Sequence, residues 1–297
     1  MAGGDLLFGR EFIMTIGAVK IAINPTTKVT KDSFGNTIGV PSAVRPLRVD
    51  FKVEKTIQSS PNKATVEIYN VKNETRSAMQ ENGAVCIIEA GYVENFGQIF
   101  KGQLEYSNTV NNGTDWITSF QSSDGAVARR TSRINETFAP GSQIKAVLKS
   151  VAQSLRVEMG NASEAFDGGD FRKGITEFTK GVTLSGKSAD ILDKLTKTTG
   201  LEWSIQDGQL QVLKSGKTVE RETEIVSVGS GMIGSPELGE KNQLKVTSLM
   251  RATFYPGQKI KISSKQFDGY FKIHSLTHRG STWGNDWITE MECKEAK

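Results

Sequence analysis

Residues 181–188, Gly-Val-Thr-Leu-Ser-Gly-Lys-Ser, spell G-x-x-x-x-G-K-[ST], the pattern of a loop that cradles the phosphates of a nucleotide. Such a loop works when a buried parallel strand delivers its amides, from a rigid edge, to a helix N-terminus. Residues 174–180 form at best a polar edge strand. No later apolar run ends in an aspartate able to hold magnesium, and no βαβα series surrounds the motif. The segment is expected to be a loop feeding a helix, with Ser188 near the cap. A P-loop nucleotide hydrolase acting through residues 181–188 remains one enzymatic alternative.

Other reactive side chains are scattered. His274 and His278 bracket a strand end, where four residues span about 13 Å, too far for one metal ion. Surface or interface polar contacts are expected of them. Glu164, Asp167 and Asp170 lie close together, yet no calcium-liganding pattern or aromatic cleft accompanies them, so a solvated Gly-Asp loop is expected. No nucleophile elbow, Cys–His pair or triad spacing occurs. Cys86 and Cys293 sit in apolar stretches and read as buried reduced thiols. No enzymatic activity, cofactor or metal is expected. The basic cluster Arg129, Arg130 and Arg133 fits an acidic partner surface or a linker equally well.

The 297 residues suffice for two or three domains, and 37% hydrophobic with 24% charged residues is the composition of a globular protein. Thirty-seven basic against 33 acidic side chains leave a net charge of +4, spread too evenly to argue for nucleic-acid specificity. No apolar run approaches the ~20 residues that span a bilayer, and none has signal-peptide form. Nothing therefore gives weight to the sequons at Asn73, Asn112, Asn135 and Asn161.

Periodicity supplies the elements. Leu47, Val49, Phe51 and Val53 alternate with Arg48, Asp50, Lys52 and Glu54, and Ala64, Val66 and Ile68 repeat that strand pattern. Residues 73–80 look like one or two helical turns, 24–46 like a long loop or hairpin, and strands follow at 84–92, 98–109 and 115–122. From 124 the texture changes. Ile144, Val147, Leu148, Val151 and Leu155 fall on one helical face. A second helix carries Ile191, Leu192 and Leu195 and closes at Gly200, and Asp207-Gly208 between apolar runs signals a two-residue hairpin. After Arg221 the strand pattern returns.

The two β regions share three blocks in the same order. Phe100-x-Gly102-x-Leu104-x-Tyr106 matches Phe267-x-Gly269-x-Phe271-x-Ile273, and Asp115-Trp116-Ile117-Thr118 recurs as Asp286-Trp287-Ile288-Thr289. Gly83, Cys86 and Ile88 parallel Gly257, Ile260 and Ile262. The glycine-to-aspartate gap grows from 13 to 17 residues, which a longer hairpin tip accommodates. A duplication of one β-domain is expected, with Gly102, Asp115, Trp116, Gly269, Asp286 and Trp287 as its structural anchors and each tryptophan packed beneath its own copy. A trimer of such a chain would present six similar domains around a three-fold axis.

These residues resemble the baseplate hub family of tailed, contractile-type bacteriophages and related injection systems. The likeness runs through Phe51-Lys52-Val53-Glu54-Lys55, residues 62–70, Glu74-Thr75-Arg76, residues 200–208, Gly234-Ser235-Pro236-Glu237, Pro256-Gly257-Gln258 and residues 278–287. It covers nearly the whole chain, although no block is a specific signature. The resemblance implies a mainly β (α+β) fold: two related antiparallel tube-like β-barrel domains, 1–124 and 223–297, flanking an inserted small α/β module at 125–222. It further implies a structural virion protein, assembled in the host cytoplasm. This would be a homotrimeric hub adapting a six-fold tail tube to a three-fold central spike. Its expected partners are the tube or tube-initiator protein, the spike and other baseplate proteins, with no membrane insertion. A cell-wall-degrading tail hydrolase is the second enzymatic alternative, and a carbohydrate- or receptor-binding β protein a third class.

Overall fold

Strand alternation becomes burial alternation in the computed structural model, which describes residues 9–23, 30–31, 37–38, 47–80, 83–162, 177–239 and 243–296. In β5 (Val49–Thr56) the side chains of Val49, Phe51 and Val53 are buried, and in β6 (Asn62–Tyr69) those of Ala64, Val66 and Ile68. The remaining strands of the first half are β1 (Arg10–Ile16), β2 (Val19–Ile23), β7 (Val85–Tyr92), β8 (Gly97–Asn112) and β9 (Asp115–Asp124). Helix α1 (Asn73–Ala78) stands where helical turns were expected. Within 24–46, the described residues pair as β3 (Thr30–Lys31) and β4 (Thr37–Ile38). Glu164, Asp167 and Asp170 lie outside the described residues.

The second half contributes β14 (Glu224–Ser227), β15 (Met232–Leu238), β16 (Leu244–Leu249), β17 (Lys259–Ser263), β18 (Asp268–Ser281) and β19 (Trp287–Glu295). All join one sheet in the order β15-β16-β19-β18-β5-β6-β9-β8-β7-β1-β2, with β17 also on β18 and β14 parallel to β17. Among the described residues, two separately closed barrels are therefore not formed. The reason is β18, which pairs with β17 through residues 268–272 and with β5 through 275–281. One long strand thus belongs to both halves and fuses them.

Between the halves lies the α/β module. Antiparallel β10 (Arg133–Phe138) and β11 (Val182–Lys187) pack with α3 (Ile144–Ser154) and α4 (Ser188–Thr199), preceded by the short α2 (Ala126–Thr131). α3 buries Ile144, Val147, Leu148 and Val151, as its period requires. The hairpin of β12 (Leu201–Gln206) and β13 (Gln209–Lys214) turns at Asp207 (φ 56°) and Gly208 (φ 83°), the left-handed pair that a tight hairpin demands. Among the described residues three apolar clusters result, one for each half of the sheet and one for the module.

Candidate functional site

Three adjacent strands each carry a polar residue on their inward row. Lys55 follows Val49, Phe51 and Val53, Asn62 precedes Ala64, and Asp124 follows Phe120 and Ser122. All three are buried, and Asn62 stands directly opposite Asp124 in the ladder. The tip of hairpin β12–β13 fills the space above them. Lys55 Nζ meets Asp207 Oδ2 at 2.6 Å, and Asp207 Oδ1 accepts from the Lys101 amide at 3.1 Å. The Asp124 carboxylate accepts the amides of Asp207, at 2.5 Å, and Gly208, at 3.0 Å. Asn62 Nδ2 donates to Ile205 O and Gln206 Oε1, both at 2.9 Å, while Gln206 Nε2 donates to Thr56 O at 2.6 Å.

Electrostatically the row holds two carboxylates against one buried ammonium. Burial, reinforced by the negative charge of Asp207, pushes the Asp124 carboxyl up to about 6 against the pull of Lys55 and of the two amides. Tyr255 packs its ring 5.2 Å from Lys55 Nζ and 3.9 Å from the Arg221 guanidinium, and burial raises its phenol. The alternation itself carried the signal for this row, since Lys55, Asn62 and Asp124 fall on the apolar parity of their strands.

The anchors expected from the repeated blocks part company. Trp287 is 1% exposed and turns its edge onto Phe51 (centroids 5.2 Å, 88°), while its Nε1–H donates to Gly91 O at 3.2 Å. It therefore packs in the core of the first half, not beneath its own strands. Arg10 seals that contact, with its guanidinium 5.6 Å from the Trp287 ring centroid and bonds to the carbonyls of Ser281, Gly284 and Asn285. Trp116, by contrast, is 47% exposed. It shares the inward parity of Phe120 but lies at the hairpin end, beyond the apolar stack, with Arg76 over its ring at 5.1 Å. Asp115 accepts from Asn70 Nδ2 at 2.8 Å, whereas Asp286 is exposed.

The ladder also corrects the match of Gly102 with Gly269. β8 bulges opposite Gln121 and Ser122, and β18 bulges opposite Glu292 and Cys293, equivalent positions counted from Asp115 and Asp286. In that frame Leu104 corresponds to Ile273 and Gly102 to Phe271. Pairing agrees: Gly102 faces Cys86 and Phe271 faces Ile260. The block match is two residues out, a slip that preserves every side-chain face and so leaves alternation unchanged. The glycines differ accordingly. A Cβ at Gly102 would lie 2.5 Å from the Ser123 carbonyl oxygen, while one at Gly269 meets only the Phe271 ring at 3.6 Å. Gly102→Ala is expected to cost about 1–3 kcal/mol in urea unfolding and Gly269→Ala less than about 0.5 kcal/mol; equal costs would contradict the shifted register.

The remaining motifs resolve simply. Residues 182–187 of the G-x-x-x-x-G-K-S segment form strand β11 rather than a loop. Successive amides of an extended strand point in opposite directions, so they cannot converge on a phosphate. Ser188 opens α4, wholly buried, and its hydroxyl accepts from Ser154 Oγ at 2.8 Å. His274 and His278 lie within β18 rather than at its end, and His278 is buried. It shares a 2.9 Å hydrogen bond with Thr289, and desolvation lowers it to about 3. Arg129 turns inward over Trp203 at 5.0 Å, whereas Arg130 and Arg133 are exposed, so the basic cluster is divided. Both cysteines are buried free thiols.

Exposed apolar side chains gather where β14 and β15, the two end strands of the second half, are joined by the 3₁₀ turn Val228–Ser230. Ile225, Val228 and Ile233 face outward there, and Leu238 is exposed at the other end of β15. Arg251 spans the junction, bonded to Glu224 Oε2 at 2.9 Å and to the Ser230 carbonyl. Among the described residues the sheet edges at β2 and β15 carry no further strand. Free edges with apolar neighbours are surfaces on which other chains assemble.

Known structures share this fold. The 43 kDa tail protein of prophage MuSo2 from Shewanella oneidensis superimposes with a TM-score of 0.65 at 8% identity, over 97% of both chains. The tail protein from Neisseria meningitidis MC58 gives 0.61 at 10% identity, again over 97% of each. The Escherichia coli c3393 protein gives 0.59 at 11% identity, over 86% of this chain and 76% of that one. It is described as a type VI secretion component structurally similar to the T4 bacteriophage tail proteins gp27 and gp5. No curated protein sequence matches the chain. At these identities the likeness is one of fold, but a sequence model of the baseplate hub gp41 family matches residues 35–279, most of the chain. The chain therefore belongs to the baseplate hub gp41 family, structural proteins of the phage tail.

Proposed function

We propose that the protein is a homotrimeric hub that adapts a six-fold tail tube to a three-fold central spike in the virion baseplate, without enzymatic turnover. The observation that carries this reading is the repeated strand order. β5-β6-β9-β8-β7 in the first half has the same succession as β15-β16-β19-β18-β17 in the second, with a bulge at the equivalent place in each. Such a repeat supports a duplication. Three chains would then set six similar five-strand units around one axis, matching six-fold symmetry on one side and three-fold on the other.

The division into 1–124, 125–222 and 223–297 is supported by the three apolar clusters, with Met250 and Trp287 crossing into the first. Edge strands β2 and β15 and the apolar group around Val228 are the natural subunit contacts, joining sheets by main-chain hydrogen bonds. Tube, spike and neighbouring baseplate proteins would be met at the same edges and loops.

Native mass by light scattering tests the assembly. A value of about 97 kDa, three times the 32.4 kDa chain, is expected. A monomer that persists after purified spike protein is added would overturn the trimer.

A further inference from the structure

The α/β module has its own apolar core, and its junction with the sheet is mostly polar. Besides the hairpin tip, that junction includes the Lys272–Glu202 contact at 3.4 Å, the bonds from Gln211 Nε2 to Pro256 O at 3.2 Å, from Gln258 Nε2 to Glu222 O and from Val219 N to Gly257 O, both at 2.9 Å, and the stacking of Arg221 on Tyr255, with Leu213 and Val219 as the apolar side chains beside Gly257. Units joined by polar interfaces move relative to one another unless a specific contact holds them. The specific contact here is the turn Asp207-Gly208, whose amides end on the Asp124 carboxylate and whose side chain ends on Lys55. The module opens with Gly125, in a left-handed conformation (φ 76°) beneath Ile205, where an added Cβ would meet the Ile205 side chain at 2.5 Å.

We propose that the tip of hairpin β12–β13 is a releasable, proton-sensitive latch that fixes the α/β module to the sheet, with Asp124 as the group through which protons act on it. Closing buries Asp124 beside a second carboxylate, Asp207, with one ammonium, Lys55, to serve both. Among the described residues, the other charged or titratable groups facing this site are Arg221 and Tyr255, Lys101 at the Gly208 turn, and His278, which is neutral. A proton on Asp124 leaves one carboxylate facing one ammonium. The proton weakens one of the two amide bonds, from Asp207 N or from Gly208 N, and the carbonyl oxygen of the protonated acid keeps the other.

The sign follows from linkage. Asp124 ionises near 6 when closed against an ordinary 3.8 when exposed, so the closed form holds the extra proton between those values. The proton-linked hold is full below 3.8 and is lost as pH rises through about 6. Between pH 7.5 and pH 5 closure should strengthen roughly tenfold.

Hydrogen exchange of the whole chain, corrected for intrinsic rates, reads this directly. Peptides covering residues 205–210 should gain about tenfold protection from pH 7.5 to pH 5, while α3 and α4 peptides stay unchanged. Asp124→Asn should abolish that difference. Equal protection of the wild-type tip at both pH values, or a pH response that survives in Asp124→Asn, overturns the latch. Should the variant fail to fold, the wild-type comparison decides alone. A uniform change across the module would likewise reject it, since that would mean module unfolding and not release.

Discussion

Trp287→Ala is expected to lower the unfolding free energy by about 3–5 kcal/mol, the range for truncating a fully buried large aromatic ring. Trp116→Ala, the same substitution in the matching tetrapeptide, is expected to cost less than about 1 kcal/mol. The contrast rests on environment. Trp287 loses its edge contact with Phe51, its hydrogen bond to Gly91 O and its cover by Arg10 all together. It also joins the C-terminal hairpin to the first-half core, so its loss should loosen the turn between β18 and β19 that Arg10 grips. Trp287→Phe separates the terms: it retains most apolar contact but leaves Gly91 O without its donor, at about 1–3 kcal/mol. Urea unfolding of the three variants gives the comparison. Similar costs for Trp287→Ala and Trp116→Ala would mean that the Trp287 ring is not buried as described.

Much of the local structure was legible. Alternation placed β5 to β9, the helical period placed α3, and Asp207-Gly208 placed the hairpin turn, because each is dictated by neighbours a few residues away. What failed was long-range. Nothing near Trp287 states that its ring crosses to strands almost 200 residues earlier, so the repeated Asp-Trp-Ile-Thr suggested equivalent burial where none exists. The two-residue slip between Gly102 and Gly269 was invisible for a related reason: a period of two cannot distinguish registers that differ by two. Nor does alternation tell whether a sheet closes. β18 reads as one strand, and only its pairing with both β17 and β5 converts two expected barrels into one open sheet. Of the polar row, Asp124 and Asn62 end strands, where polar residues are unremarkable. Lys55 lies one step beyond the alternation of Leu47 to Glu54. Its parity was correct for the core, and a lysine there requires a buried counter-charge.

That counter-charge makes the second large effect. Asp207→Asn is expected to destabilise the protein by about 3 kcal/mol at pH 7.5, the lower part of the range for removing one partner of a buried ion pair. The substitution is nearly isosteric, and asparagine tolerates the left-handed backbone at φ 56°. Its amide oxygen can still accept from the Lys101 amide, so the loss isolates the charge. Lys55 is 3% exposed and cannot turn to water. Its remaining counter-ion would be Asp124, already committed to two backbone amides, which is why the cost stays below the full range. Replacing both partners, Lys55→Met with Asp207→Asn, removes the stranded ammonium and should recover much of the loss, because a neutral pair of similar volume carries no uncompensated charge. A double-mutant cycle in urea measures the difference. Strict additivity of the two single substitutions, or a near-neutral Asp207→Asn, would mean that the ion pair contributes nothing to holding the hairpin. With the negative charge of Asp207 gone, Asp124 should also ionise closer to its ordinary range, since the like charge is one of the causes that raise it. The pH dependence of hairpin protection should then flatten in Asp207→Asn as well, by a route independent of substituting Asp124 itself.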